Sequence, residues 1–180
     1  CSPTIITRAA ENYKKLRNTL RYLVSVLEEG HEPVWEKGLA YYGLCPLNRW
    51  LASKAAVVFW DVHDDFKRAN FCSGIHSLQE FVAGDLSAVY LAAVKDRLYC
   101  DPRNTDHRQQ TVFLMSHILE ALLRLLAPVL TYTVDEVLKY CPQWFRDRCG
   151  AQDVFDLQYR PFWPDQRPPL TNDKGEALEI

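Results

Sequence analysis

Lys14, Arg17 and Arg21 are the side chains of this sequence whose spacing most clearly lets them act together. At about 100° per residue they fall within roughly 60° of one another on a helix. The segment from Tyr13 to Val26 around them contains no acid. Cations converging on one face form the electrostatic footprint of a phosphate-backbone partner, and a solvated face that is merely basic is the competing reading. A second constellation gathers Tyr90, Lys95, Asp96, Arg97, Leu98 and Tyr99, followed across a turn by Arg103, His107 and Arg108. Cations interleaved with aromatics suit a single-stranded nucleic acid, because phosphates take the charges while splayed bases stack on rings. Against this, Tyr90 and Tyr99 could be core, with Lys95 and Arg97 engaging the carbonyls at a helix C-terminus.

Catalytic chemistry has no comparable footprint. The sequence contains no P-loop, no dinucleotide fingerprint, no G-x-S-x-G and no H-E-x-x-H. His63, Asp64 and Asp65 are adjacent, so on a helix they point in different directions and read as a charged solvated face. His117 lies among apolar neighbours and reads as a satisfied core or interface imidazole. No two of the cysteines Cys1, Cys45, Cys72, Cys100, Cys141 and Cys149 have C-x2-C spacing, and the seven residues between Cys141 and Cys149 include no His. They are expected to be buried or incidental thiols of a reducing compartment, without a metal.

The elements that must position these residues are helices. Tyr13, Leu16, Leu20, Leu23 and Leu27 recur at helical steps behind Ser2-Pro3, a favourable N-cap and first-turn pair, and the helix is expected to stop before Gly30. His31 to Pro46 reads as a loop whose aromatics Trp35, Tyr41 and Tyr42 pack down on the surface. Leu47, Trp50, Leu51, Ala55, Val58, Phe59, Val62 and Phe66 predict a second long helix. A third, from about Ser73 to Leu98, carries Gly74 and Gly84, and a kink or local break is expected near Gly84. Asp101 to Asn104 is turn chemistry. A fourth helix follows from about Asp106 to Ala127. Thr133 to Glu136 reads as a capping box, stapled by Tyr132 and Val137, that opens a short fifth helix ending before Pro142. Val154 to Tyr159 alternates weakly like a strand, and the prolines beyond it forbid regular structure.

The expectation is an all-α bundle of about five helices over residues 1–142, with an irregular aromatic and proline-rich extension over 143–180. At 180 residues the chain has room for a substantial core, and 48% hydrophobic with 24% charged residues is ordinary globular composition. The formal net charge of −2 conceals the local basic ridge. No apolar run approaches the ~18 residues of a membrane span, and no signal-peptide pattern opens the sequence, so a soluble cytoplasmic location is expected.

Several runs also resemble a known family. Glu11 to Tyr22, with Arg17-Asn18-Thr19 at its centre, resembles the opening helix of the anticodon-binding helical domain of isoleucyl-tRNA synthetase, a class I aminoacyl-tRNA synthetase. Arg49-Trp50 is similar to the start of that domain's second long helix. Asp85-Leu86-Ser87, Tyr90-Leu91 and Lys95 to Tyr99 resemble its third, His117 to Pro128 its fourth, and Thr133 to Val137 the next. The matches keep the family order over about residues 9 to 142. Asn48 stands where the family usually has Asp, which removes a possible ion pair with Arg49. Gly84 replaces a typical Val, Ala92-Ala93-Val94 departs from the family pattern, and Cys72 to Val82 matches it poorly.

The resemblance implies a piece of a larger enzyme that ligates isoleucine to its tRNA using ATP and magnesium, with zinc held in a module that has no counterpart here. It implies no catalytic residues and no cofactor in this piece. The HIGH and KMSKS signatures are absent, so it is expected to activate no isoleucine alone, and a measurable ATP–pyrophosphate exchange rate would contradict that. The implied partners are isoleucine-specific tRNA and the remaining domains of the enzyme, in a monomer. Lys14, Arg17 and Arg21 would contact phosphates. Arg17, Asn18 and Tyr90 would read anticodon bases, and Lys95 and Arg97 would add contacts. Tyr13, Arg49 and Trp50 are weaker candidates, Trp50 lying on the apolar stripe. The alternative is a helical protein–protein interaction domain whose basic surface meets an acidic partner.

Overall fold

The computed structural model describes residues 3–27, 32–33 and 44–160. Its helices are α1 (Pro3–Val26), α2 (Pro46–Lys67), α3 (Phe71–Phe81), α4 (Ala92–Tyr99), α5 (Asp106–Leu126), α6 (Thr131–Tyr140) and α7 (Gln143–Cys149). A π-helical segment, Val82–Leu91, joins α3 to α4. There is no strand among the described residues. The all-α expectation is met.

α5 is the centre of the bundle. From Gln110 to Leu126 it is buried on nearly every side, as a helix must be when neighbours surround it. It packs against α1, α2, α4 and α6. α1 contributes Leu16, Leu20 and Leu23 to the core, so the apolar stripe read from the sequence is the face that is buried. α2 contributes Leu51, Ala52, Ala55, Phe59 and Val62, and Phe59 meets Phe81 of α3 edge to face with ring centroids 5.3 Å apart. Pro3 and Pro46 each occupy a first helical turn, where a missing N–H costs nothing. Ser2 and most of the His31–Pro46 loop, Trp35, Tyr41 and Tyr42 included, lie outside the described residues.

Three expectations need correction. Near Gly84 the α-helical pattern is interrupted, but by a π-helical segment rather than by a break in the helical backbone. Helical backbone runs from Phe71 to Tyr99, and the stretch around Gly84 widens to π geometry, a form too rare for propensity to reveal. A Cβ at exposed Gly84 would meet nothing within 4 Å, whereas one at Gly74 would lie 2.7 Å from the Phe66 ring. Gly74 therefore permits the close approach of α3 to the end of α2. The capping box at Thr133 does not form either: α6 begins two residues earlier, behind Leu130, and the Thr133 hydroxyl pairs with Tyr13. Tyr132 is turned outward, so the staple with buried Val137 is absent too.

The third correction concerns the boundary at residue 142. The described part of the supposed extension, 143–160, is built into the bundle. α7 buries Phe145 and Cys149, and Gly150, in the left-handed region at φ 64°, ends it. Asp153 and Asp156 form a real capping box around a single 3₁₀ turn, Val154–Asp156, in place of the expected strand. Val154 and Leu157 anchor that turn in the core. Arg124, buried in α5, holds this segment down. Its guanidinium bonds Glu120 Oε1 at 2.8 and 3.1 Å, the Cys149 carbonyl at 2.8 Å and the Gln158 carbonyl at 2.6 Å. Arg148 of α7 approaches the other Glu120 oxygen at 3.6 Å and donates to Ser116 Oγ at 2.9 Å.

Candidate nucleic-acid interface

α1 is fixed along both flanks, and that fixing defines what its outer face presents. On one flank Asn12 donates to Gln79 of α3 at 3.2 Å, and Thr19 pairs with Ser87 of the π segment at 3.0 Å. Further along, Tyr22 bonds Tyr99 at the end of α4; burial first, and that bond second, push its phenol up to about 12. On the other flank the Tyr13 and Thr133 hydroxyls are 2.9 Å apart, and Arg17 Nη2 lies 2.6 Å from Glu136 Oε1 of α6. Lys14, Asn18 and Arg21, all exposed, occupy the back of the helix between these ties.

Arg17 is the edge of the ridge rather than its centre. Its bond to Glu136 raises its pKa and lowers that of the carboxyl, each through the hydrogen bond first and the charge pairing second. Both side chains remain about half exposed, so the pair is screened by solvent. A phosphate reaching Arg17 must displace Glu136 or share the guanidinium with it. Sequence reasoning passed over Glu136. Its sequence signal was a place in the expected capping box, and nothing local tells which basic helix lies opposite.

The second constellation is divided: Tyr99 meets Tyr22 of α1, whereas Tyr90 turns into the core. Tyr90, expected to stack on a base, is completely buried, and its hydroxyl donates to Asn48 Oδ1 at 2.9 Å. A ring with no exposed face cannot stack on a base, so Tyr90 is a core residue, as the competing reading had it. Burial also drives its pKa upward. Asn48 faces inward to Tyr90, so its replacement of Asp bears on this buried pair rather than on a surface contact with Arg49. Arg97 is half-buried and donates to Cys45 Sγ at 3.4 Å, at the start of α2. Lys95 is exposed on α4. Tyr99 is exposed, contrary to the core alternative, and Trp50 packs on the core as its stripe position implied.

His63, far from an acid–base cluster, stacks on Tyr159 with ring centroids 3.4 Å apart. His117 Nδ1 is 2.9 Å from the Phe113 carbonyl, a satisfied imidazole. Cys141 and Cys149 are buried, and burial pushes both thiols up to about 12, which keeps them protonated and unreactive. Cys45, partly exposed, and Cys72 and Cys100, exposed, are free. Among the described residues, the basic face of α1 with its α6 border presents the exposed cations Lys14 and Arg21 beside Arg17, and such a face can hold a polyanion.

The chain as a whole is similar to known proteins. Residues 48–180 match the model of the anticodon-binding domain of tRNA ligase. An isoleucine–tRNA ligase of Nitratiruptor sp. is 38% identical over 179 residues, 99% of this chain and 18% of that protein. The isoleucine–tRNA ligase of Wolinella succinogenes is 38% identical over 177 residues, 98% of the chain and 19% of its own length. That of Sulfurovum sp. is 39% identical over 158 residues, 88% of the chain and 16% of its own length. The chain thus spans less than a fifth of each of these relatives. With its helical bundle, its ordered motifs and a family match over most of its length, the chain belongs to the anticodon-binding domain family of tRNA ligases.

Proposed function

We propose that this chain is the module of an isoleucine–tRNA ligase that holds the anticodon stem-loop of isoleucine tRNA while ligation proceeds elsewhere in the enzyme. The observation that carries the proposal is the exposed basic face of α1, set on a bundle of the anticodon-binding family. Lys14 and Arg21 bind phosphates, Arg17 does so in exchange with Glu136, and Asn18 offers an amide to a base edge. Lys95 on α4 adds charge outside the ridge. The relatives' names support isoleucine as the amino acid. Activation of isoleucine with ATP and magnesium belongs to domains other than this one, so the chain alone has no ligase activity. The module works as a monomer in the cytoplasm, and no described helix is long and apolar enough to cross a membrane.

Fluorescence anisotropy with labelled tRNA transcripts at low salt tests this reading. Isoleucine tRNA should bind more tightly than a tRNA with an unrelated anticodon. Equal affinity for both would remove the anticodon reading and leave generic RNA binding, and failure to bind either would remove RNA altogether.

A further inference from the structure

α6 carries an exposed stripe of which the proposed contacts involve only Glu136. Tyr132, Glu136 and Tyr140 follow one another at four-residue spacing, so they share one face of the helix. Tyr132 is 93% exposed and Tyr140 74%. The Glu136 bond to Arg17 pins the middle of this stripe to α1. The two ties between the helices fix their register: Tyr13 meets Thr133, and Arg17 meets Glu136, so the chains run parallel. One turn further along each helix come Arg21 and Tyr140. Tyr140 therefore stands at the Arg21 end of the seam, one turn beyond the Arg17–Glu136 bond. Tyr132 lies toward the other end, beyond the Tyr13 contact.

An exposed ring at the end of a cationic seam is the arrangement that single-stranded nucleic acid requires, base on ring and phosphates on charges. Tyrosine provides that surface at a small cost in side-chain freedom. Tyr90 cannot provide it, being buried. Accepting the anticodon-loop reading proposed above, we infer that an unstacked loop base lies on the exposed face of Tyr140, while Arg17 releases Glu136 to take the adjoining phosphate. The seam between α1 and α6 is then the part of the module that meets the loop, and Glu136 is a built-in competitor that weakens its hold on RNA. An acidic protein segment would use the cations of this seam but would have no need of the ring.

The test uses the 180-residue chain and an RNA hairpin that carries an isoleucine anticodon loop with 2-aminopurine in it. Wild-type chain should bind the hairpin and quench the 2-aminopurine. Tyr140→Ala should weaken binding about 5- to 150-fold, the range for loss of one stacked base, with the salt slope unchanged. Tyr140→Phe should stay within about twofold of wild type, and Glu136→Gln should bind more tightly than wild type. Thermal melting checks that each variant is folded, and the wild-type quench reads the stack without any substitution. Tyr140→Ala binding within about twofold of wild type, Phe losing as much as Ala, or binding without quenching would each overturn the inference. So would polyglutamate that binds as tightly as the hairpin, since that marks a surface for acidic protein. A wild-type chain that binds no hairpin at low salt overturns the anticodon reading, and this inference with it.

Discussion

Tyr90 and Asn48 show how one side chain decides between a site and a core. The phenol is fully buried and donates to the Asn48 carbonyl oxygen, which is itself buried. Tyr90→Phe should leave that acceptor without its donor and lower the unfolding free energy by about 1–3 kcal/mol, read by urea denaturation. RNA affinity should not change; a folded Phe variant that loses RNA binding would return Tyr90 to the interface. The exposure of Tyr90 was not legible, because a tyrosine near the end of an amphipathic stretch fits a core and a stacking platform equally well. Lys14, Asn18 and Arg21 were legible as exposed, since the apolar stripe fixes which face is left outside. His117 gives a pH dependence. Burial first, then the charge of Arg148, lowers its pKa, so the folded state holds the ring neutral while the unfolded state takes up a proton near 6.5. The unfolded state therefore binds more protons as pH falls through that value. Stability is full above about pH 7 and declines as pH falls below 6.5. His63 shifts in the same direction, again through burial first. Urea titrations across this range should show a shallower decline for His117→Gln than for wild type, and an equal decline would assign the effect to other groups.

Among the elements, the long helices could be read because burial imposes a 3.6-residue period over many turns, as in α1, α2 and α5. Short elements escape that signal. α7 spans only seven residues, and the Val154–Asp156 turn only three, too few for a period to register. What holds them is tertiary: the guanidinium of Arg124, thirty-four residues from the Gln158 carbonyl that it binds. Nothing in the local sequence distinguishes Glu120 and Arg124 from an ordinary exposed helical pair at that spacing. Arg124→Met should remove the clasp and leave the partly buried Glu120 with a weaker partner in Arg148. The expected loss is about 3–5 kcal/mol, with faster amide hydrogen exchange across α7 and the 3₁₀ turn. Exchange rates there unchanged from wild type would show that apolar packing of Phe145, Val154 and Leu157 suffices to hold the segment. The π segment was hidden for another reason: glycine lowers helix propensity, and propensity alone does not separate a widened turn from a break.

For the molecule as a whole, the formal charge of −2 would argue against a polyanionic partner if charge were spread evenly. The fold separates it. α1 turns its apolar stripe to α5 and its cations outward, and α6 sets one carboxylate, Glu136, on the border of that basic face. Motif order carried the family reading from sequence alone, whereas the geometry of the face depended on which helices flank α1. The central claim is that this face binds RNA through its cations, and counterion release measures it. Each phosphate contact contributes about 0.7–0.9 to the slope of log affinity against log salt. Binding of isoleucine tRNA to wild type and to the Lys14→Ala/Arg21→Ala double variant, titrated with salt, reads the face directly. The slope of the folded variant should be shallower by about 1.4–1.8, with weaker binding at every salt concentration, whereas a slope equal to that of wild type would place the RNA on another surface of the bundle.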